Sequence, residues 1–255
     1  MHIQRLSWAG IKIEVGTTTV FVDAIEDAPH WNIGAAPVIP LSAQTAHRYA
    51  VITHAHADHY DPVAVQSVLD DQGSVICHRS ISGSVAHNTL RVQGVELYEP
   101  APLDWLSADV MATAVPASDG WGDPQVSWII DGGGRRIIHC GDTLWHGHWW
   151  NIARQYGPFD LAFVPINGVT YQRGRYTGSL IPATMTPEQA VTAGHVLGAT
   201  RVCPIHYGMH DPGHYVEYPN AEATFLDIAR QLGVRTLVLQ PGEWVDWDSR
   251  ADTDA

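Results

Sequence analysis

Residues 53–61 read Thr53-His54-Ala55-His56-Ala57-Asp58-His59-Tyr60-Asp61 and directly follow the apolar run Tyr49 to Ile52. If that run is a β-strand, the alternation of side chains carries His54 and His56 to the same side where the strand ends. Neutral imidazole and carboxylate are ligands that suit zinc, iron, manganese or nickel. Asp61 and Pro62 fit the N-cap and the first position of a helix. The stretch therefore predicts a metal site on a loop between a strand and a helix.

The size and charge of the chain limit its class and its partners. With 255 residues, of which 45% are hydrophobic, the chain has the size of one large α/β domain. We predict a single domain over residues 1–245 and an acidic C-terminal tail over residues 246–255. The 14 Lys and Arg against 27 Asp and Glu give a formal charge of −13, which repels phosphate backbones and anionic membranes. We therefore expect a small-molecule substrate, no nucleic acid and no membrane.

Cysteine content and hydropathy bear on the compartment. The odd set Cys77, Cys140 and Cys203 contains no Cys-x-x-Cys pair, so we expect no disulfide framework and a reducing environment. No apolar run approaches the roughly 18 residues that a membrane span needs, and the first residues lack the apolar segment of a signal peptide. These features predict a cytoplasmic protein, and they leave open whether it forms a homo-oligomer.

The residue pattern predicts two β-rich halves flanked by helices. Three short runs at the start read as a β-meander, and a glycine-rich hairpin turn occupies residues 131–134. Residues 24–47 read as a long loop. The pattern predicts helices at 63–69, 80–87, about 187–197 and 221–232, and strands at 3–8, 11–15, 19–22, 49–52, 74–77, 90–97, 110–115, 126–130, 135–138, 161–164, 202–205 and 237–239. Two stacked sheets with helices outside form an α/β fold, a four-layer αββα sandwich.

Three further apolar runs end in residues that can bind metals. Asp142 follows Gly141, His206 follows the run at 202–205, and Asp119 follows the run at 110–115. Each alone is typical of an ordinary turn. Together with residues 54–59, they predict a site assembled from the ends of several strands, which is how such scaffolds hold functional residues rigidly.

These motifs, in this order, resemble the metallo-β-lactamase superfamily. The matching motifs are His54-x-His56-x-Asp58-His59, then Gly141-Asp142-Thr143, then His206-Tyr207-Gly208. The likeness is to the branch of stand-alone metal-dependent hydrolases that includes ascorbate 6-phosphate lactonase. It implies an αββα fold and one or two divalent metal ions per chain, with zinc as the first expectation and manganese or iron as alternatives. Site one would use His54, His56 and a third histidine, and site two Asp58, His59 and His206, with Asp142 bridging.

The chain departs from this pattern at two positions. Asp119 stands where such proteins place the third histidine, and a carboxylate there shifts the preference from zinc toward harder ions. His87 and His139 are alternative third ligands, although a histidine near a site often supports a ligand instead. Trp8 stands where a histidine often follows the first strand. We include Asp119 among the metal ligands.

The resemblance and the ligand types together predict a metal-dependent hydrolase. A metal-bound hydroxide would attack a small-molecule ester, lactone, amide or phosphodiester. Asp58, Asp119 and Asp142 are the candidate catalytic residues, Asp58 by orienting the nucleophile and the other two as proton acceptors. His139 and Thr143 are candidates for supporting the ligands. The alternatives are a non-catalytic metal-binding protein of the same fold and, less favoured by the acidic composition, a nuclease.

Two segments remain open between a role in the pocket and a structural role. The tryptophans of residues 145–150 either line a pocket or anchor the next helix. The loop of residues 165–183 carries Tyr171, Arg173 and Arg175, which either contact substrate or lie in solvent. His210 and His214 are likewise either acid groups or solvated.

Overall fold

The computed structural model describes residues 1–26, 38–69, 71, 73–103, 109–171, 177–209 and 215–248. Residues 27–37 of the predicted loop at 24–47 and residues 249–255 of the predicted tail lie outside these ranges. The strands are β1 (His2–Arg5), β2 (Ile11–Val15), β3 (Thr18–Val22), β4 (His47–Ile52), β5 (Ser74–His78), β6 (Val92–Val95), β7 (Pro100–Pro102), β8 (Val110–Pro116), β9 (Val126–Gly132), β10 (Arg135–His139), β11 (Phe159–Pro165), β12 (Thr170–Tyr171), β13 (Ala199–Ile205) and β14 (Tyr215–Val216). The α-helices are α1 (Pro62–Val68), α2 (Trp149–Tyr156), α3 (Pro187–Val196) and α4 (Ala221–Leu232).

The first sheet has six strands in the order β1-β2-β3-β4-β5-β6. Strands β1 to β3 form the predicted antiparallel meander. From β3 to β6 every pair is parallel, so the carboxyl ends of β3 and β4 lie at one edge. Asp23 and Thr53 follow these two ends directly, which brings the start of the histidine motif beside Asp23.

The second sheet also has six strands, in the order β13-β11-β10-β9-β8-β7. Strands β10, β11 and β13 are mutually parallel, whereas β7, β8 and β9 pair antiparallel. The β9–β10 turn places Gly133 and Gly134 at φ of 55° and 74°, the conformation that the predicted glycine-rich hairpin requires. A small third sheet pairs β12 with β14.

The buried clusters lie between four layers of secondary structure. One buried cluster lies between the two sheets and includes Ile13, Trp128 and Phe163. Another, which includes Trp149 and Phe225, packs α2, α3 and α4 against the outer face of the second sheet. Two smaller clusters cover the outer face of the first sheet, where α1 packs. The predicted αββα sandwich is confirmed.

Helix boundaries follow the predicted capping signals. Asp61 accepts hydrogen bonds from the backbone N–H groups of Val63 and Ala64 at the start of α1. Thr186 forms a capping box with Gln189 at the start of α3. Helix α4 ends at Gly233, which lies at φ 65°. Within the described ranges, no helix has the length and apolar character needed to cross a bilayer.

Two predicted elements are wrong. The predicted helix at 80–87 is replaced by a 3₁₀ turn, Arg79–Ile81, and further turns at 82–84. The side chains of His78 and Ser82 bond to the local backbone and compete with helical hydrogen bonds. Residues 237–239 form no strand. Before this segment, Thr236 forms a β-bridge with Val202 of the second sheet, and after it, Trp244 forms one with Gln4 of the first sheet. The segment therefore crosses between the two sheets and does not pair along a strand of either sheet.

Candidate metal centre

The predicted ligands lie on four loops, each of which begins where a strand ends. The histidine motif follows β4, Asp119 follows β8, Asp142 follows β10 and His206 follows β13. Their potential ligand atoms gather in two groups, and within each group the atoms lie within 4.8 Å of one another. The first group is His54, His56, Asp119 and Asp142; the second is Asp58, His59 and His206. All seven predicted metal ligands therefore belong to one of the two groups.

His54 is held in one tautomer by its neighbour. The Thr53 hydroxyl donates to Asp23 Oδ2 at 2.6 Å. The hydroxyl oxygen of Thr53 also lies 2.9 Å from His54 Nδ1. Because the hydroxyl proton is committed to Asp23, the hydroxyl accepts from His54 Nδ1–H. The lone pair of His54 is thus on Nε2, which is buried without a hydrogen-bond partner and lies 3.6 Å from Asp142 Oδ1.

Asp119 presents one oxygen to the first cluster and uses the other to shape its loop. Its Oδ1 accepts from the backbone N–H groups of Trp121 at 2.6 Å and Asp123 at 3.1 Å. Its Oδ2 is buried without a hydrogen-bond partner, 3.9 Å from His56 Nδ1. The geometry thus permits the aspartate to act in the position where the resemblance expects a histidine.

The second cluster is more deeply enclosed. Asp58 Oδ2 lies 3.4 Å from His206 Nε2 and 3.7 Å from His59 Nε2. The other ring nitrogen of His59, Nδ1, lies 2.8 Å from Asp23 Oδ2, and both of these side chains have no exposed surface. Both ring nitrogens of His206 are buried without a hydrogen-bond partner. The imidazole nitrogens of His59 and His206 therefore face one carboxylate oxygen.

Asp142 stands between the two clusters. Its Oδ1 lies 3.6 Å from His54 Nε2, and its Oδ2 lies 4.0 Å from His59 Nε2. The preceding Gly141 lies at φ 67°, and a Cβ there would come within 3.1 Å of Thr53 Oγ1. Glycine at this position therefore allows the chain to turn and Asp142 to reach both clusters.

The donor set fits divalent metal ions. Buried polar atoms normally have a hydrogen-bond partner, yet partnerless ones concentrate here: His54 Nε2, His59 Nε2, Asp119 Oδ2, Asp142 Oδ1 and both ring nitrogens of His206. Imidazole nitrogens and carboxylate oxygens directed into a common space are the ligands of zinc, manganese and iron sites. The first cluster offers two imidazoles and two carboxylates, and the second offers two imidazoles and one carboxylate.

Burial and charge strongly shift the pKa values at this site. Burial lowers the pKa of His54 to about 3, against the opposing effect of Asp142. For His59, burial also lowers the pKa, but Asp58 and Asp23 together outweigh it and raise the pKa to about 10. The pKa of Asp58 lies well below its usual range because His59 and His206 outweigh the effect of its burial. Without metal, His59 and Asp58 therefore form a buried ion pair.

Sequence reasoning did not foresee the roles of Trp8 and Asp23. The Trp8 indole donates to Asp58 Oδ2 at 3.2 Å, and its ring centroid lies 4.3 Å from that of His206. Trp8, Asp23 and His206 all have positive φ values, 57°, 45° and 58°. This backbone conformation is strained for residues other than glycine. Three of the six non-glycine residues with positive φ among the described residues thus lie at this site, and no local residue pattern in the sequence marks their backbone conformation.

Other candidates lie outside the two clusters. His139 is buried behind the site, where Nε2 donates to Ala9 O at 2.8 Å and Nδ1 accepts from Gly141 N at 3.2 Å, so it supports the Asp142 turn. Thr143 bonds to the backbone of Ser118 and thereby joins the Asp142 and Asp119 loops. His87 contacts Asn88 instead.

The tryptophan-rich segment is divided between two environments. Trp149 has no exposed surface and stacks on His146 at 4.0 Å, which anchors α2 to the core. Trp150 is exposed. Tyr171 lies at the site, with its ring 4.4 Å from that of Trp121 in the Asp119 loop. Arg173, Arg175, His210 and His214 lie outside the described residues.

Two clusters of histidine and aspartate at one edge of an αββα sandwich form a candidate metal centre, an arrangement typical of metallohydrolases. Residues 18–207 match the family model described as the β-lactamase superfamily domain. The chain belongs to this superfamily, and it is a metal-dependent hydrolase of the metallo-β-lactamase fold.

One relative carries the same description, and two solved structures share the fold. A UPF0173 metal-dependent hydrolase from Thermus thermophilus is 30% identical over 76% of this chain and 79% of its own length. The structure of a metallo hydrolase from Ignicoccus hospitalis has a TM-score of 0.70 at 20% identity, covering 96% of this chain and 97% of that one. The diiron β-hydroxylase CmlA from Streptomyces venezuelae has the same TM-score of 0.70 at 15% identity, covering 96% of this chain and 53% of that one.

Proposed function

We propose that this protein hydrolyses a small-molecule ester, lactone, amide or phosphodiester with one or two divalent metal ions. His54, His56, Asp119 and Asp142 would hold one ion, and Asp58, His59 and His206 the other, with Asp142 shared. The observation that carries the proposal is the position of Asp142, whose two oxygens face ring nitrogens of different clusters. When bound, such ions lower the pKa of water toward ~7 and polarise the oxygen of the electrophile.

The carboxylates have different roles in this proposal. Asp58 is held ionised by His59 and His206, which makes it a strong hydrogen-bond acceptor and a weak base. It is therefore suited to orienting the attacking water. Asp119 Oδ2 and Asp142 Oδ1 are the partnerless carboxylate oxygens of the first cluster, and either can accept the proton that the water releases.

Tyr171 is suited to donate a hydrogen bond to the substrate. Its phenol forms a hydrogen bond with the side chain of Trp121. Burial, and to a smaller extent the negative charge of Asp58, raises the pKa of Tyr171 well above its usual range. The phenol therefore keeps its proton at neutral pH. A protonated phenol beside the carboxylates can donate to a substrate oxygen as negative charge develops there.

The space beside the first cluster suits a small substrate. A cavity of about 390 Å³ is lined by residues that include His78, Ser80, Asp119, Asp123 and Gln125, and this volume is within the range of small-molecule sites. The resemblance to the branch that includes ascorbate 6-phosphate lactonase makes a lactone the first substrate to test. Zinc is the first metal to test, with manganese and iron next because of Asp119. A cytoplasmic location and the oligomeric state stay predictions.

Metal analysis combined with a substrate panel tests the proposal. Protein purified without chelator is expected to carry one or two divalent ions per chain and to turn over at least one generic ester, lactone, amide or phosphodiester. Chelation should abolish turnover and added metal should restore it, whereas the His54→Ala variant should stay inactive. Asp227→Ala, which changes an exposed carboxylate on α4, serves as the control. Tightly held metal with no turnover over a broad panel would favour the non-catalytic alternative, and salt-dependent RNA binding with cleavage would favour the nuclease.

A further inference from the structure

We propose that Asp123 is a positioning residue for His56, fixing which ring nitrogen of His56 faces the first metal cluster. The inference rests on the proposed function, since it takes His56 as a metal ligand. Asp123 lies in the loop between β8 and β9, 67 residues beyond His56 in the sequence, and its Oδ2 lies 3.0 Å from His56 Nε2.

The contact decides the tautomer of His56. An ionised carboxylate can only accept, so a neutral His56 must carry its proton on Nε2 and donate it to Asp123. The lone pair is then on Nδ1, the nitrogen that lies 3.9 Å from Asp119 Oδ2 inside the first cluster. A carboxylate that accepts from the outer nitrogen of a ligating histidine fixes the orientation of the ring and raises its basicity.

One short turn positions two ligands of the first cluster. Asp119 Oδ1 accepts from the backbone N–H of Asp123 at 3.1 Å, which fixes Asp119 with Oδ2 toward the cluster. The side chain of the same Asp123 then reaches His56. Asp123 therefore couples the aspartate that replaces the expected histidine to the histidine opposite it.

The arrangement parallels the Asp23–His59 contact in the second cluster but differs in burial. The Asp23 and His59 side chains have no exposed surface, whereas the side chains of Asp123 and His56 are 62% and 29% exposed. Because solvent weakens an exposed charged contact, removal of Asp123 should have an effect near the lower end of the 10- to 100-fold range typical for such supporting residues.

Metal titration of three variants tests the role of Asp123. Metal-free wild-type protein, Asp123→Ala and Asp123→Asn would be titrated with Zn²⁺ by calorimetry, with Asp227→Ala as the control for loss of an exposed carboxylate. Asp123→Ala should weaken one class of sites about 10-fold and leave the other unchanged. Asp123→Asn should remain within about 3-fold of wild type, because its amide oxygen still accepts from Nε2–H.

A spectroscopic measurement separates positioning from a general structural effect. ¹⁵N NMR of the His56 ring in metal-free protein should show the Nε2–H tautomer in wild type and Asp123→Asn, and a mixture of tautomers in Asp123→Ala. Unchanged affinity and tautomer in Asp123→Ala would overturn the proposal, as would an equal loss in Asp123→Asn, which would show that only charge matters. Failure of wild-type protein to bind Zn²⁺ in the same titration would instead overturn the proposed function itself.

Discussion

His59 Nδ1 lies 2.8 Å from Asp23 Oδ2, with both side chains fully buried. The same carboxylate accepts from the backbone N–H and the hydroxyl of Thr53. Asp23 therefore joins β3 to the loop after β4 and orients a ligand of each cluster, His59 directly and His54 through Thr53. One carboxylate at the end of the meander thus supports both halves of the site.

Replacing Asp23 with asparagine should weaken metal binding at the second cluster by about 10- to 100-fold. The neutral amide keeps approximately the same volume, but its single oxygen cannot replace both carboxylate oxygens, of which Oδ1 accepts from the Thr53 backbone and Oδ2 from Thr53 and His59. The change also removes the charge that helps to raise the pKa of His59. Calorimetric titration with Zn²⁺ measures the affinity, and NMR titration measures the His59 pKa, which should fall. Asp131→Asn, which loses a pairing with Arg136 in the β9–β10 hairpin, is the matched control. An unchanged affinity would show that His59 does not need Asp23 for its orientation.

Metal binding near neutral pH should release about one proton from His59. Asp58 and Asp23 raise the pKa of His59 from its ordinary value of 6.5 to about 10, so metal-free protein carries this proton at pH 7. A ligating imidazole must instead be neutral on the binding nitrogen. The apparent affinity should therefore rise as pH rises from 7 toward 10. Calorimetry in buffers of different ionisation enthalpy counts the protons, and a count of zero would contradict protonation of His59.

The same pKa shift has an opposite consequence for the stability of metal-free protein. A raised histidine pKa contributes stability that is fully present below the unfolded value of about 6.5 and is lost as pH rises through about 10. High pH should thus favour metal binding while it destabilises the metal-free fold. Urea unfolding of chelated protein at pH 7 and pH 10 checks the sign of the second effect.

Asp142→Ala should weaken both metal sites, whereas variants of unshared ligands should weaken one each. The reason is that, among the described residues, Asp142 alone directs an oxygen toward a nitrogen of each cluster. Elemental analysis should find the largest metal loss in Asp142→Ala, with partial loss in Asp119→Ala and His206→Ala. Activity should fall by at least about 100-fold in Asp142→Ala, in line with loss of several kcal/mol of transition-state stabilisation. Loss of only one ion from Asp142→Ala would show that this residue is not shared.

Asp119→His should move the preference of the first cluster toward zinc. Replacing a hard, anionic oxygen with an imidazole nitrogen favours zinc over manganese. We expect the ratio of zinc to manganese affinity to rise by about 10-fold or more, equivalent to about 1.4 kcal/mol. Competition titrations on wild type and variant measure this ratio, and an unchanged ratio would show that Asp119 does not bind the metal.

Much of the fold was predictable because its signals are local. The alternation in β2 and β3, the cap at Asp61 and the capping box at Thr186 depend on residues within a few positions of each other. Two predicted elements are wrong. At 80–87 local side chains bond to the backbone in place of helical hydrogen bonds, and at 237–239 the segment crosses between strands of different sheets.

The residues of the site also divide into those with local sequence signals and those without. The spacing of the histidines and the aspartate in residues 54–59 predicts a metal site. Asp142 and His206 are predicted as ligands because each directly follows a strand. The supporting contacts connect residues far apart in sequence, such as Trp8 with Asp58 and Asp123 with His56. No spacing within the chain encodes these contacts, because the first depends on the strand order of the first sheet and the second on how the two sheets pack together.

Gly141→Ala should damage the metal centre more than its backbone cost alone explains. Gly141 and Gly134 both have positive φ, 67° and 74°, but an added Cβ at Gly134 meets nothing within 4 Å, whereas at Gly141 it meets Gln125 Nε2 at 3.0 Å and Thr53 Oγ1 at 3.1 Å. Both alanine variants should lose about 1–2 kcal/mol of unfolding free energy from the left-handed backbone. Only Gly141→Ala should also lose metal, since relief of the contact moves Thr53 or Asp142. Urea unfolding and elemental analysis of the pair separate the two effects, and equal metal content in both variants would show that the site tolerates a shift of the Asp142 turn.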